Sequence, residues 1–177
     1  MFSVRLLSAC VMVVLAMVAL FSLSDLHFSM AVSVLMAVAA WEWAGLSDLN
    51  TLLQRGVFVL VVMLVSFGVG LSFAATLIFM VLSVFFWLWA FIGLRAYSQG
   101  QSPWGLQSAW SRMFLGVILL VSGLLSMVWL RVYSQLGTQG FVYVLLVVSA
   151  TDSGAYVFGR WLGHHSFAPR VSPNKTW

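Results

Sequence analysis

The sequence predicts an all-α, polytopic membrane bundle of about six transmembrane helices, and three observations carry that expectation. Of 177 residues, 63% are hydrophobic and only 7% are charged. Soluble domains carry roughly 25% charged residues because their surfaces must be wetted. Mean hydropathy is +1.07. The remaining charges are spaced at bilayer intervals, since a hydrocarbon core of about 30 Å needs about 20 apolar residues to cross it. Finally, runs such as Val57–Val65 and Thr76–Phe91 are apolar on every face. That suits lipid-embedded helices, whereas the strands of a membrane barrel alternate.

Each span follows from the charges that bound it. Leu6–Ser24 encloses 19 uncharged residues between Arg5 and Asp25. Asp25 to Glu42 encloses 16, and the run continues through Trp43, Ala44 and Leu46. Gly56–Leu94 holds 39 uncharged residues, about 59 Å of helix, and so makes two crossings. Its turn is expected at Gly68–Ser72, where paired glycines permit a reversal. Arg112 to Arg131 encloses 18 and Arg131 to Asp152 encloses 20.

The first span does not read as a cleaved leader. Its positive region is one arginine, and no small-residue cleavage site follows Leu23. Leu7-Ser8-Ala9-Cys10 has the form of a lipidation box, but no apolar segment precedes it. Cys10 is the one cysteine, so no internal disulfide forms.

Orientation follows from the cations, because cytoplasmic loops are enriched in Lys and Arg. With six crossings and an inside N-terminus, Arg5, Arg55, Arg95, Arg112, Arg160, Arg170 and Lys175 fall inside and Arg131 alone falls outside. Both termini are therefore expected in the cytoplasm. The net charge of +4 is scattered between apolar runs, so it marks topology and no nucleic-acid partner. The expected organisation is a transmembrane region over residues 1–159 and the start of a cytoplasmic substrate loop over 160–177, where Pro169 and Pro173 argue against further helix.

Two carboxylates fall inside the expected spans, Glu42 and Asp152. A charge at a membrane helix centre costs about 2.5–3.5 kcal/mol on insertion scales, so it calls for a partner or a hydrated cavity. Glu42, within Trp41-Glu42-Trp43, reads as interfacial or paired with a neighbouring helix, and otherwise as lining a site. Asp152 has company: Ser149, Asp152, Ser153, Tyr156 and Arg160 share one helical face. The loop beyond supplies His164, His165, Arg170, Ser172, Lys175 and Thr176. A carboxylate beside cations and hydroxyls suits a metal–phosphate site, since Mg²⁺ is held by one or two carboxylates plus substrate phosphates. The alternative for the stripe is a buried helix–helix contact.

Thr151-Asp152-Ser153-Gly154-Ala155-Tyr156, Gly159-Arg160, Gly163, Pro169 and Ser172-Pro173-Asn174-Lys175-Thr176-Trp177 resemble the phosphatidate cytidylyltransferase (CDP-diacylglycerol synthase) family. The resemblance is close over Thr151–Trp177, and the early Trp-Glu-Trp segment is a further similarity. It implies CMP transfer from CTP to phosphatidic acid in phospholipid biosynthesis, in a bacterial inner membrane, with membrane lipids around the bundle and a homodimer among the assemblies allowed. It also implies Mg²⁺ at Asp152, a catalytic Lys175, and substrate contacts from Ser153, Tyr156, Arg160, Arg170, Ser172 and Thr176. His164-His165 departs from the lysine or arginine that similar proteins often carry there. The family continues past this point into further helices and a late aspartate-bearing signature. The chain thus resembles the N-terminal two-thirds, and by itself is expected to be inactive. Two other readings are a CTP-dependent polyprenol or phytol kinase and a non-catalytic membrane protein.

Overall fold

The computed structural model of the chain describes residues 2–98, 106, 108–161, 166–168 and 172–176. Six helices account for nearly all of it: α1 (Phe2–Ser22), α2 (Asp25–Leu46), α3 (Leu52–Gly70), α4 (Phe73–Ser98), α5 (Ala109–Val128) and α6 (Gly137–Trp161). A π-helical turn, Trp129–Tyr133, extends α5. Five of these helices, α5 with its π turn among them, are long and apolar enough to cross a membrane, and α1 contributes a shorter apolar stretch. The chain is a multi-pass membrane protein.

Helix starts follow local chemistry. Ser24 accepts from the His27 backbone N–H at the head of α2, and Asp25 places a negative charge in its first turn. Thr51 and Gln54 form a reciprocal capping box at α3, and Ser108 caps α5. The α3–α4 reversal is tighter than expected. Helix α3 runs on through Gly68 to Gly70, leaving only Leu71 and Ser72 between the helices. Thr76 closes this turn by donating its hydroxyl to the Val69 carbonyl at 3.2 Å.

Helix α5 lies at the centre, packed against α2, α3 and α4. The core is small: Val121, Leu124 and Leu125 of α5 meet Val32, Ala40 and Ala44 of α2 and Phe58 and Val62 of α3. Small side chains let helices approach closely where lipid supplies no hydrophobic drive between them. The remaining large apolar residues are mostly exposed, as a lipid-facing surface requires.

Two arginine–aspartate pairs join the ends of α5 to the ends of α2. Arg112 binds Asp48 just past the end of α2, where Asp48 holds a left-handed φ of 63°. At the other end Arg131 binds Asp25 at 3.0 Å and the Leu20 carbonyl at 3.4 Å. Arg131 sits within the π turn as a helical residue, where the sequence suggested a loop boundary.

Beyond α6 the stretch expected to be irregular loop contains two short antiparallel strands, β1 (Ser166–Ala168) and β2 (Ser172–Thr176). Both strands of a two-stranded ribbon are edges, so Pro173 is tolerated in β2. Strand β2 contacts α6.

Candidate functional site

Asp152 lies in the second half of α6, roughly 22 Å along the helix from Gly137. Its side chain is exposed, as are those of Ser149 and Ser153. Among the described residues no hydrogen bond or ion pair engages Asp152. The face it occupies is the packing face of α6. Phe141, Val142 and Leu145 on the first turns join the core, and Ser149 and Asp152 follow on the same side one turn at a time. Helix α6 therefore begins apolar against the bundle and turns polar where it is no longer covered.

The anchor is an edge-to-face contact between Phe141 and Phe28 of α2, with ring centroids 5.5 Å apart and planes at 87°. Further along the same face of α2, Leu35 and Leu46 are 69% and 71% exposed. Glu42 lies between them and is exposed too. The residues on either side of Glu42 are held. Arg55 stacks over Trp41 at 5.7 Å, and the Trp43 indole N–H donates to the Arg112 carbonyl at 2.8 Å.

The other expected site residues divide by position. Tyr156 and Arg160 are in α6 by backbone, and their side chains lie outside the described residues. Ser172, Lys175 and Thr176 are in β2 by backbone, likewise without described side chains. Arg170, like His164 and His165, lies outside the described residues. What is visible is that the strand carrying Ser172, Lys175 and Thr176 returns against the helix carrying Asp152. Among the described residues no three carboxylate, imidazole or thiol groups gather into a cluster suited to a metal ion. A lone exposed carboxylate is still suited to holding a cation jointly with substrate phosphates.

Among the described residues, two of the larger cavities lie elsewhere. One, about 580 Å³, is aromatic and sits between α4, Trp43 and Leu106. The other, about 740 Å³, lies near the α3–α4 turn and is flanked by Ser29, Ser33, Ser66 and Thr76. Asp152 lines neither.

Comparison with known proteins decides the family. The profile of the cytidylyltransferase family matches residues 3–177. The chain belongs to the cytidylyltransferase family. It is 27% identical over 176 residues to the phosphatidate cytidylyltransferase of Pseudomonas aeruginosa, covering 98% of this chain and 63% of that protein. It is 29% identical over 189 residues to the protein of the same name from Haemophilus influenzae, covering 98% of this chain and 65% of that one. A Staphylococcus haemolyticus phosphatidate cytidylyltransferase is 52% identical over 40 residues, 23% of this chain and 15% of that protein. The chain thus spans just under two-thirds of the length of the first two cytidylyltransferases. No solved structure matches it.

The sequence pointed to Asp152 through its periodic hydroxyl stripe. It gave no comparable signal for the way Glu42 is set between two anchored indoles. That arrangement depends on Arg55 and on the Arg112 carbonyl, contributed by α3 and α5.

Proposed function

We propose that this protein transfers CMP from CTP to phosphatidic acid, giving CDP-diacylglycerol and pyrophosphate. The observation that carries the reading is the family match across residues 3–177 in a membrane bundle whose exposed Asp152 stands on the same helix that β2 contacts. A phosphatidate oxygen forms the new bond to the α-phosphorus of CTP. The bond from the α-phosphorus to the bridging oxygen breaks, and pyrophosphate leaves.

The chain's own residues serve this displacement by position and charge. Asp152, a carboxylate without a described partner, fits a Mg²⁺ held jointly with nucleotide phosphates; that ion would offset negative charge as the two anions approach. Lys175 supplies a compact positive charge to phosphate oxygens, and Ser172 and Thr176 supply hydroxyl donors beside it. Ser153, Tyr156, Arg160 and Arg170 complete the substrate contacts. The lipid's tails stay in the bilayer while its phosphate reaches the polar half of α6. Arg55, Arg95 and Arg112 lie at one end of the spans and Arg131 at the other, so the positive-inside rule puts the Asp152 end in the cytoplasm of a bacterial inner membrane, where CTP is found.

The test is product analysis with the protein expressed from its native gene and reconstituted in lipid. Release of pyrophosphate dependent on both CTP and phosphatidic acid is expected. Formation of CDP with a phosphorylated polyprenol or phytol would replace this reading with the kinase one.

A further inference from the structure

Serine and threonine bring hydroxyls into a membrane helix that hydrocarbon cannot hydrogen-bond. Four of them meet at the cavity of about 740 Å³ beside the α3–α4 turn, Ser29 and Ser33 from α2, Ser66 from α3 and Thr76 from α4. Each hydroxyl donates to a backbone carbonyl. Ser29 donates to Asp25, Ser33 to Ser29 and Ser66 to Val62, each at 2.8 Å, and Thr76 to Val69 at 3.2 Å. A hydroxyl has one proton and two lone pairs. With every proton spent on the backbone, the four oxygens are left as acceptors. Back-bonding of this kind satisfies a lone hydroxyl in a helix. It does not by itself bring four of them, from three helices, to one cavity.

The rest of the lining narrows the ligand. Among the described residues that line the cavity, none is charged. Arg131, in the adjoining π turn, is committed to Asp25 and the Leu20 carbonyl. A charged head would therefore be buried here without a counter-charge, which is strongly unfavourable. Phe67, Phe73 and Tyr133, which also line it, are 70%, 64% and 72% exposed, so the cavity opens onto the bilayer. Trp129 and Tyr133 of the π turn close its outer edge, and π turns recur at functional sites. The volume is that of a small-ligand site, about 300–1,000 Å³.

Depth agrees with an uncharged head. Thr76 lies three residues from the start of α4, Ser29 and Ser33 four and eight from the start of α2, and Ser66 four from the end of α3. All four are thus about 5–12 Å below the helix ends on the Arg131 side. The headgroup layer is only about 5–7 Å thick on each face of a bilayer. A phospholipid keeps its phosphate in that layer, whereas a lipid whose head is a bare hydroxyl can sink below it.

We propose that this cavity binds an uncharged lipid alcohol of the diacylglycerol kind: its hydroxyl donates to the serine and threonine oxygens, and its tails leave past Phe67 and Phe73 into the bilayer. The site is separate from Asp152 and does not rest on the CMP-transfer reading.

The test uses a diacylglycerol with a photoactivatable group in one acyl chain, and the protein expressed from its native gene in nanodiscs. Cross-links are expected at Phe67 and Phe73, located by mass spectrometry. Unlabelled 1,2-dioleoylglycerol should compete for them. 1,2-Dioleoyl-3-acetylglycerol, whose hydroxyl is capped, and dioleoylphosphatidic acid should compete at least tenfold less well. Ser33→Ala and Ser66→Ala, each removing one acceptor, should weaken binding about two- to tenfold with the thermal midpoint near wild type. Ser33→Phe, which fills the cavity, should abolish the cross-link. Equal competition by the capped lipid would make the cavity an unselective acyl crevice and overturn the proposal. Equal or better competition by phosphatidic acid would give the cavity to a charged lipid and overturn it too. Label spread evenly over all helices, or wild-type affinity in both alanine variants, would do the same. The competition series is run on wild type, so it decides the matter even where a variant fails to fold.

Discussion

The indole of Trp43 on α2 lies against the α-carbon of Gly116 on α5 and donates its N–H to the backbone carbonyl of Arg112 at 2.8 Å. A methyl group at residue 116 would overlap the ring. Gly116→Ala should therefore force Trp43 out of place and destabilise the bundle by about 1–3 kcal/mol, the usual cost of overpacking. Gly93→Ala is the comparison, because a methyl at that position meets open space. Thermal melts in detergent measure both, and equal midpoints would mean that the α2–α5 contact does not limit stability.

Arg131 should act through packing as well as charge. Its side chain is 16% exposed against 59% for Asp25, and its guanidinium lies 5.8 Å from the Phe28 ring centroid. The half-exposed ion pair alone is expected to contribute about 0.2–1 kcal/mol. Arg131→Met, which keeps an apolar stem, should destabilise less than Arg131→Ala. A double-mutant cycle with Asp25→Ala separates the pair energy. Identical losses for Met and Ala would assign the whole effect to charge.

Orientation is checked by cysteine labelling in a Cys10→Ser background. Asn50→Cys and Ser166→Cys should react only with reagent supplied from the cytoplasmic side. Leu71→Cys and Ser134→Cys should react from outside. Labelling of Ser166→Cys from outside would separate the Asp152 end from cytosolic CTP and defeat the proposed reaction.

Asp152→Asn should abolish pyrophosphate release while leaving insertion and thermal midpoint intact, since the amide keeps the shape and removes the charge. Near-normal turnover would return Asp152 to a packing role despite its exposure.

Lys175→Ala should lower the rate about ten- to a hundredfold, the equivalent of losing a charge-assisted contact worth about 1.5–3 kcal/mol in the transition state. Lys175→Arg should recover part of it, because a planar guanidinium carries the charge but places it differently from an ammonium. A Lys175→Ala rate equal to wild type would make the Ser172–Thr176 strand purely structural.

The helix count, the membrane class and the polar stripe around Asp152 were legible in the sequence because each is local. Burial in lipid demands a run of fixed length between charges, and a stripe on one helix needs only the 3.6-residue period. The turn at Leu71–Ser72 was found to within a few residues, but its tightness was not, since Gly68 and Gly70 are permitted a bend and here remain helical. Pro173 was correctly read as lying outside helix, whereas the β1–β2 pairing depends on two segments meeting and leaves little trace in either.

What only the tertiary structure decided is who faces whom. Asp25 and Asp48 looked like loop markers and prove to be partners of Arg131 and Arg112, separated from them by 106 and 64 residues. Phe28 and Phe141 looked like two more lipid-facing rings and prove to meet edge to face between α2 and α6. Hydropathy determines that a helix enters the bilayer and how far it extends. It carries no information about rotation around the helix axis, because lipid surrounds every apolar face equally. Rotation is set by the few positions, such as Gly116, Ala40 and Phe141, where another helix replaces the lipid.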